Sequence, residues 1–103
     1  MHISGPLFLI MDMPYLVYVL WSASHQLFYI GVTDNISRRI EQHNAGISKW
    51  TCGKGPWELV WQRPFPNLSE ARKFENQLKR QKGGDKFFEY TALDKSKFIS
   101  SGS

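Results

Sequence analysis

A chain of 103 residues is the length of one domain, and its 42% hydrophobic and 15% aromatic content supplies the core that a disordered chain lacks. The net charge of +4 favours polyanionic partners and decides nothing about fold. The single cysteine, Cys52, excludes an internal disulfide framework and fits a reducing, cytoplasmic setting.

Residues 1–13 read as an N-terminal extension. Its apolar run, 6–11, is too short to span a bilayer and lacks the cationic start of a secretory signal, so no membrane association is expected. Residues 14–95 carry all the patterned segments, and 96–103 read as a polar, flexible tail.

A dense apolar strand is predicted over 15–21, a polar turn over 22–26 and a second strand over 27–32. An antiparallel hairpin centred between Ala23 and Ser24 puts Tyr18 directly opposite Tyr29 on one face. Directly opposed residues have Cβ atoms about 4.5–5.5 Å apart, so the two phenols would share one small site. Val17 then faces Ile30, and Val19 faces Phe28, on the other side. Both faces are apolar, so both need cover. In this register Gly31 stands opposite Leu16, where its missing side chain lets another group approach the sheet.

Thr33, Asp34 and Asn35 are N-cap candidates for a helix over 36–44, which Gly46 stops. Ile36 and Ile40 form its core stripe, and Arg39 and His43 share a neighbouring stripe. Residues 47–56 read as a loop and 57–63 as a third strand. Asn67 to Ser69 cap a second helix over 70–81, whose buried stripe is Ala71, Phe74 and Leu78 and which Gly83 and Gly84 end. A short helix over 86–93 follows, held by Phe87, Phe88 and Tyr90. The fold class is α+β: a small three-stranded antiparallel sheet flanked by helices, in the order β-β-α-β-α-α.

Four groups of residues can carry chemistry. With Ala71 at zero on a helical wheel, Leu78 and Phe74 fall at roughly 340° and 300°, and Glu75 at about 40°. The Glu75 carboxylate therefore sits at the edge of a buried stripe, where it needs a partner. That partner is either a cation such as Arg39 or a lysine, or a divalent metal; one carboxylate suits magnesium, which keeps most of its waters. Arg39 offers a fork of donors matched to phosphate oxygens, against the plainer reading of a solvated helix charge. His43 can shuttle a proton or hold a phosphate, the plainer reading being a hydrogen-bonding surface residue. Lastly, Arg72, Lys79, Arg80 and Lys82, with Lys49, Trp50 and Lys54 from the loop, can form a groove for a phosphate backbone, where the plain alternative is solubility.

Leu16-Val17-Tyr18, then Tyr29-Ile30-Gly31, then Arg39 resemble the GIY-YIG nuclease family. The likeness is greatest to small standalone bacterial members, which resemble the nuclease domain of the bacterial excinuclease. It extends through His43 and Gly46, through Pro56 to Val60, and through Ser69-Glu70-Ala71 to Glu75 and Leu78-Lys79. The resemblance implies divalent-metal-dependent hydrolysis of phosphodiesters in DNA, branched or single-stranded, with Mg²⁺ or Mn²⁺ as cofactor. It implies that Tyr18 and Tyr29 are the motif tyrosines, Arg39 the catalytic arginine, His43 a frequent motif histidine and Glu75 the metal ligand. Tyr18 is the expected base, its phenol lowered in pKa by a nearby cation. Leu16 replaces the first glycine of the family name, and no asparagine follows Asn76, where many members carry one. A protein partner or a homodimer is expected to supply targeting. The alternatives are a non-catalytic nucleic-acid-binding module of the same fold and a protein-interaction domain in which Glu75 is only salt-bridged.

Overall fold

The computed structural model describes residues 13–98. Three strands, β1 (Tyr15–Ser22), β2 (Leu27–Thr33) and β3 (Glu58–Phe65), form an antiparallel sheet in the order β2-β1-β3. Helix α1 (Ile36–Asn44) follows β2, while α2 (Leu68–Arg80) and α3 (Asp85–Thr91) follow β3. The predicted order is the observed one. The expected extension over 1–13 lies almost wholly outside the described residues, as does most of the expected tail. Residues 96–98 belong to the fold: a 3₁₀ turn, Lys95–Lys97, brings Phe98 to 5.2 Å from the Trp21 ring and 5.3 Å from the Phe28 ring, centroid to centroid.

The caps explain why the helices begin and end where they do. Asn35 accepts the Arg38 amide at the start of α1, and Asn67 accepts the Glu70 amide at the start of α2. At the end of α1, the Ile47 amide reaches the Gln42 carbonyl and the Gly46 amide reaches the His43 carbonyl. This closing motif places residue 46 at a φ of +78°, which glycine adopts without strain.

Both sheet faces are covered, as the apolar pattern requires. Val17, Val19 and Ile30 join Ala71, Leu78, Phe87 and Phe88 under α2 and α3. Tyr18 and Leu20 pack on the opposite side with Trp57, Tyr29, Ile36 and Ile40, against α1 and the loop ahead of β3.

The hairpin register differs from the expected one. Tyr18 pairs with Gly31, and Tyr29 with Leu20. Val17 pairs with Val32 and Val19 with Ile30. The turn is centred one residue later than the spacing predicts. Ser22 pairs with Leu27, and its buried hydroxyl accepts the His25 amide while Gln26 takes a φ of +55°. That closure slides the strands by two residues. A slide of two keeps every side chain on its face, whereas a slide of one would invert them all. Tyr18 and Tyr29 are therefore diagonal neighbours on one face, with ring centroids 6.2 Å apart. A bulge between Val19 and Leu20 in the β1–β3 ladder adds local twist to the middle of the sheet.

Candidate active site

Gly31 opens the site. A Cβ on this residue would stand 2.6 Å from the Tyr18 hydroxyl oxygen and 3.0 Å from Cε2 of Tyr29. The group that approaches the sheet over this glycine is the phenol of its own cross-strand partner.

The Tyr18 side chain is fully buried, and its hydroxyl meets two groups from α1. Arg39 Nε donates to it at 3.3 Å, and His43 Nε2 lies 3.0 Å away. Arg39 Nη1 also donates to Gln42 Oε1 at 2.9 Å, which aims the guanidinium from its own helix. Arg39 and His43 stand four residues apart, so one helical face delivers both to the same oxygen.

His43 is 1% exposed, which excludes the surface role that its helix position alone allowed. Its Nδ1 lies 2.7 Å from Thr51 Oγ1, itself completely buried. Thr51 Oγ1 also donates to the Ser48 carbonyl, which can only accept. These partners assign the tautomer. Nδ1–H donates to Thr51, leaving Nε2 as the acceptor for the Tyr18 proton. Sequence reasoning missed Thr51, because a threonine in an irregular loop has no periodicity to mark it. The loop is held in place by Trp57, whose Nε1 donates to the Thr51 carbonyl and whose amide donates to Asn44 Oδ1.

Burial drives the acid–base character of the site. It pushes the Tyr18 phenol up to about 12, outweighing the opposing hydrogen bond from Arg39. The expectation that a neighbouring cation lowers Tyr18 is therefore corrected: in the protein by itself, Tyr18 is a protonated phenol. Burial, helped by the Arg39 charge, takes His43 down to about 4, so it is a neutral imidazole at neutral pH. The bond to Tyr18 holds Arg39 even more firmly in its charged form.

Glu75 is 4% exposed, as the edge of its stripe demands. Its oxygens pair with Arg72 Nη1 at 3.3 Å and Lys79 Nζ at 3.1 Å. Arg39 is not its partner. Both pairing cations are half-exposed and come from the same helix.

β2 is an edge strand of the sheet, with an outer edge that no strand pairs among the described residues. A cleft of about 380 Å³ there is lined by Tyr29, Ile30, Trp50, Lys79 and Lys82. Lys82 Nζ donates to the Phe28 carbonyl on the edge strand at 3.1 Å. The structure thus brings Trp50, Lys79 and Lys82 together beside Tyr29, with Lys54 against Trp50. Arg72 stays with Glu75, and Lys49 and Arg80 are surface residues outside this cleft.

Residues 14–87 match the family model for the "GIY-YIG catalytic domain". A "UPF0213 protein" of Nitratidesulfovibrio vulgaris is 41% identical over 71 residues, covering 68% of this chain and 64% of that one. The human "Structure-specific endonuclease subunit SLX1" is 42% identical over 66 residues, covering 59% of this chain but only 24% of that protein. The solution NMR structure of a UPF0213 protein from Bacillus halodurans is 36% identical, covers 64% of this chain and 70% of its own, and has a TM-score of 0.40. The chain spans under two thirds of the first of these relatives and about a quarter of the human protein.

Proposed function

The chain belongs to the GIY-YIG nuclease family, and from that premise we propose that it is a divalent-metal-dependent endonuclease hydrolysing phosphodiester bonds in DNA. The observation that carries the reading is the Tyr18 hydroxyl held between the Arg39 guanidinium and the His43 imidazole. An aromatic pair kept only for packing does not call for a half-buried cation and a buried histidine on one phenolic oxygen.

Tyr18 receives a bond from Arg39 and gives its proton to His43, so one lone pair of its oxygen remains, and because the side chain is fully buried the attacking water has to reach it with the substrate. As that water attacks phosphorus, its proton moves to Tyr18 Oη while the Tyr18 proton moves to His43 Nε2. As the new P–O bond forms, the bond from phosphorus to the leaving oxygen breaks and that oxygen takes a proton from solvent water, while the disfavoured His43 imidazolium gives its proton up to solvent, leaving Tyr18 and His43 as they began. Arg39 keeps N–H donors free for a phosphate oxygen, where they neutralise charge that grows in the pentacoordinate state. Tyr29, half-buried at the mouth of the cleft, orients the water or the phosphate.

Glu75 is the residue that would hold the metal. Among the described residues no three His, Cys, Asp or Glu side chains gather, so the donor set does not suit a protein cage of the zinc or calcium type. One buried carboxylate, closed only by two half-exposed cations that can swing away, fits Mg²⁺ or Mn²⁺ completed by water and substrate phosphate. When bound, the ion supplies charge neutralisation on the phosphate and on the leaving oxygen.

Among the described residues no helix is long and apolar enough to cross a membrane. A DNA substrate fits a cytoplasmic setting and a place in DNA repair. A domain this small offers little surface for target choice, so the proposal includes a protein partner or a second copy for targeting.

The test is incubation of the purified protein with branched, flapped, single-stranded and duplex DNA, with Mg²⁺, with Mn²⁺ and with chelator. Metal-dependent cutting is expected. Salt-sensitive binding with no cutting in either metal would instead identify a non-catalytic binding module.

A further inference from the structure

Trp50 presents half of its surface to solvent, at 52% exposure, beside a buried catalytic arrangement. Among the described residues most large apolar side chains are inside, and an indole left out against charged neighbours needs a reason. Its ring lies 6.0 Å from the Tyr29 ring, at the wall of the edge-strand cleft. Two ammonium groups approach it, Lys54 Nζ at 4.9 Å and Lys82 Nζ at 5.5 Å from the ring centroid. Both are also fixed by backbone carbonyls, Lys54 by Trp50 itself and Lys82 by Phe28. Burial and the neighbouring Lys79 charge hold Lys82 below its ordinary range, so this is a site where positive charge is crowded and wants an anion.

We propose that the cleft between Trp50 and Tyr29 is a subsite for one unpaired nucleobase, stacked on the Trp50 indole, with an adjoining phosphate held by Lys79 and Lys82. The inference rests on the nuclease reading and names the part of the substrate that this cleft takes.

The cleft has an apolar floor, Ile30, an aromatic wall on the Trp50 side and cations on the α2 side. That is the composition of a nucleotide site: a flat π-face for the base, ammoniums for the phosphate. Base stacking on an aromatic side chain is about two to three times as favourable as an exposed cation–π contact. An arriving base therefore displaces a lysine from the indole, and the released ammonium remains within reach of the phosphate. A base inside continuous duplex is stacked on both faces by its neighbours and cannot lie on a protein ring. The subsite accordingly selects an unpaired nucleotide beside the scissile bond. Tyr29 lines the same cleft, so a base on Trp50 places its own backbone next to the reacting groups.

The test measures binding in chelator, so that no cleavage intervenes. The probes are a fluorescently labelled single-stranded DNA oligomer and a blunt, fully paired duplex of the same length. Trp50→Ala is expected to weaken single-strand binding by about tenfold or more, with duplex binding changed less than twofold. Trp50→Phe keeps an aromatic face and should restore most of the loss. Tryptophan emission of the unsubstituted protein should be quenched by the single strand and much less so in Trp50→Phe. Equal losses on both probes, or no loss on either, would overturn the stacking subsite while leaving the nuclease reading standing. If the unsubstituted protein binds neither probe at low salt, both fall together.

Discussion

Gly31 lies directly across the ladder from Tyr18, and the space where its Cβ would be is filled by the Tyr18 phenol. The hydroxyl oxygen is only 2.6 Å from that point, closer than real Cβ contacts allow. Backbone conformation is not the issue, since Gly31 lies within a strand with no positive φ. The constraint is space. Gly31→Ala is therefore expected to displace the phenol from Arg39 and His43. The stability cost should be about 1–3 kcal/mol, the range for overpacked cores. Turnover should fall by on the order of a hundredfold, as for a misplaced catalytic group. Urea unfolding and single-turnover cleavage check the two parts separately.

Thr51 is expected to control His43 without touching substrate. Thr51→Val keeps the shape but removes the acceptor for Nδ1–H, leaving a buried donor unpaired. The imidazole should then populate the other tautomer, in which Nε2 carries the proton and no longer accepts from Tyr18. Nitrogen-15 shifts of His43 report this directly. Turnover should drop with little change in DNA affinity, at a stability cost of about 1–3 kcal/mol. Thr51→Ser should rescue both. An unchanged tautomer in Thr51→Val would show that Thr51 only fills the loop.

The buried histidine should leave a signature in stability against pH. The His43 pKa in the folded protein, about 4, lies below its ordinary value of 6.5. Between these values the unfolded chain binds a proton that the native protein does not. Stability therefore rises with pH through this window and is lost as pH falls from 6.5 towards 4, by roughly 3 kcal/mol at most. Tyr18 acts at the other end. Its folded value, about 12, lies above the ordinary 10, so the native protein holds a proton that the unfolded chain releases. Stability contributed by the neutral phenol is present below pH 10 and lost as pH rises towards 12. Denaturant midpoints of the parent and of His43→Gln across pH 4–7 isolate the acid limb, which should be flatter in the variant.

Glu75→Gln separates a metal ligand from a structural ion-pair partner. Arg72 and Lys79 are half-exposed, so losing their pairs should cost about 1 kcal/mol or less. Mn²⁺ binding by calorimetry and metal-dependent cutting should both vanish. DNA affinity should hold or rise slightly, because a negative charge has gone. Full activity with a melting temperature lowered by many degrees would instead make Glu75 a structural residue.

Sequence alone determined whatever depends on local periodicity. The hairpin spacing put Tyr18 and Tyr29 on one face, and the parity survived an error of two residues in the register. Asn35 and Asn67 announced their helices by cap chemistry that acts within one turn. The wheel put Glu75 at the border of a buried stripe because burial on a helix follows angle. The tertiary structure decided the rest. The pairing of Tyr18 with Gly31 depended on a Ser22–His25 contact that closes the turn. His43 looked like a surface residue until Thr51 and the Trp57-anchored loop covered it. The direction of the Tyr18 shift followed from how much water the fold removes, which no spacing records. Trp50 meets Lys82 and Tyr29 only because a loop and a helix end converge on one sheet edge. Local order is written in short-range steric and hydrogen-bonding preferences, whereas desolvation and long-range contact exist only once the whole chain has packed.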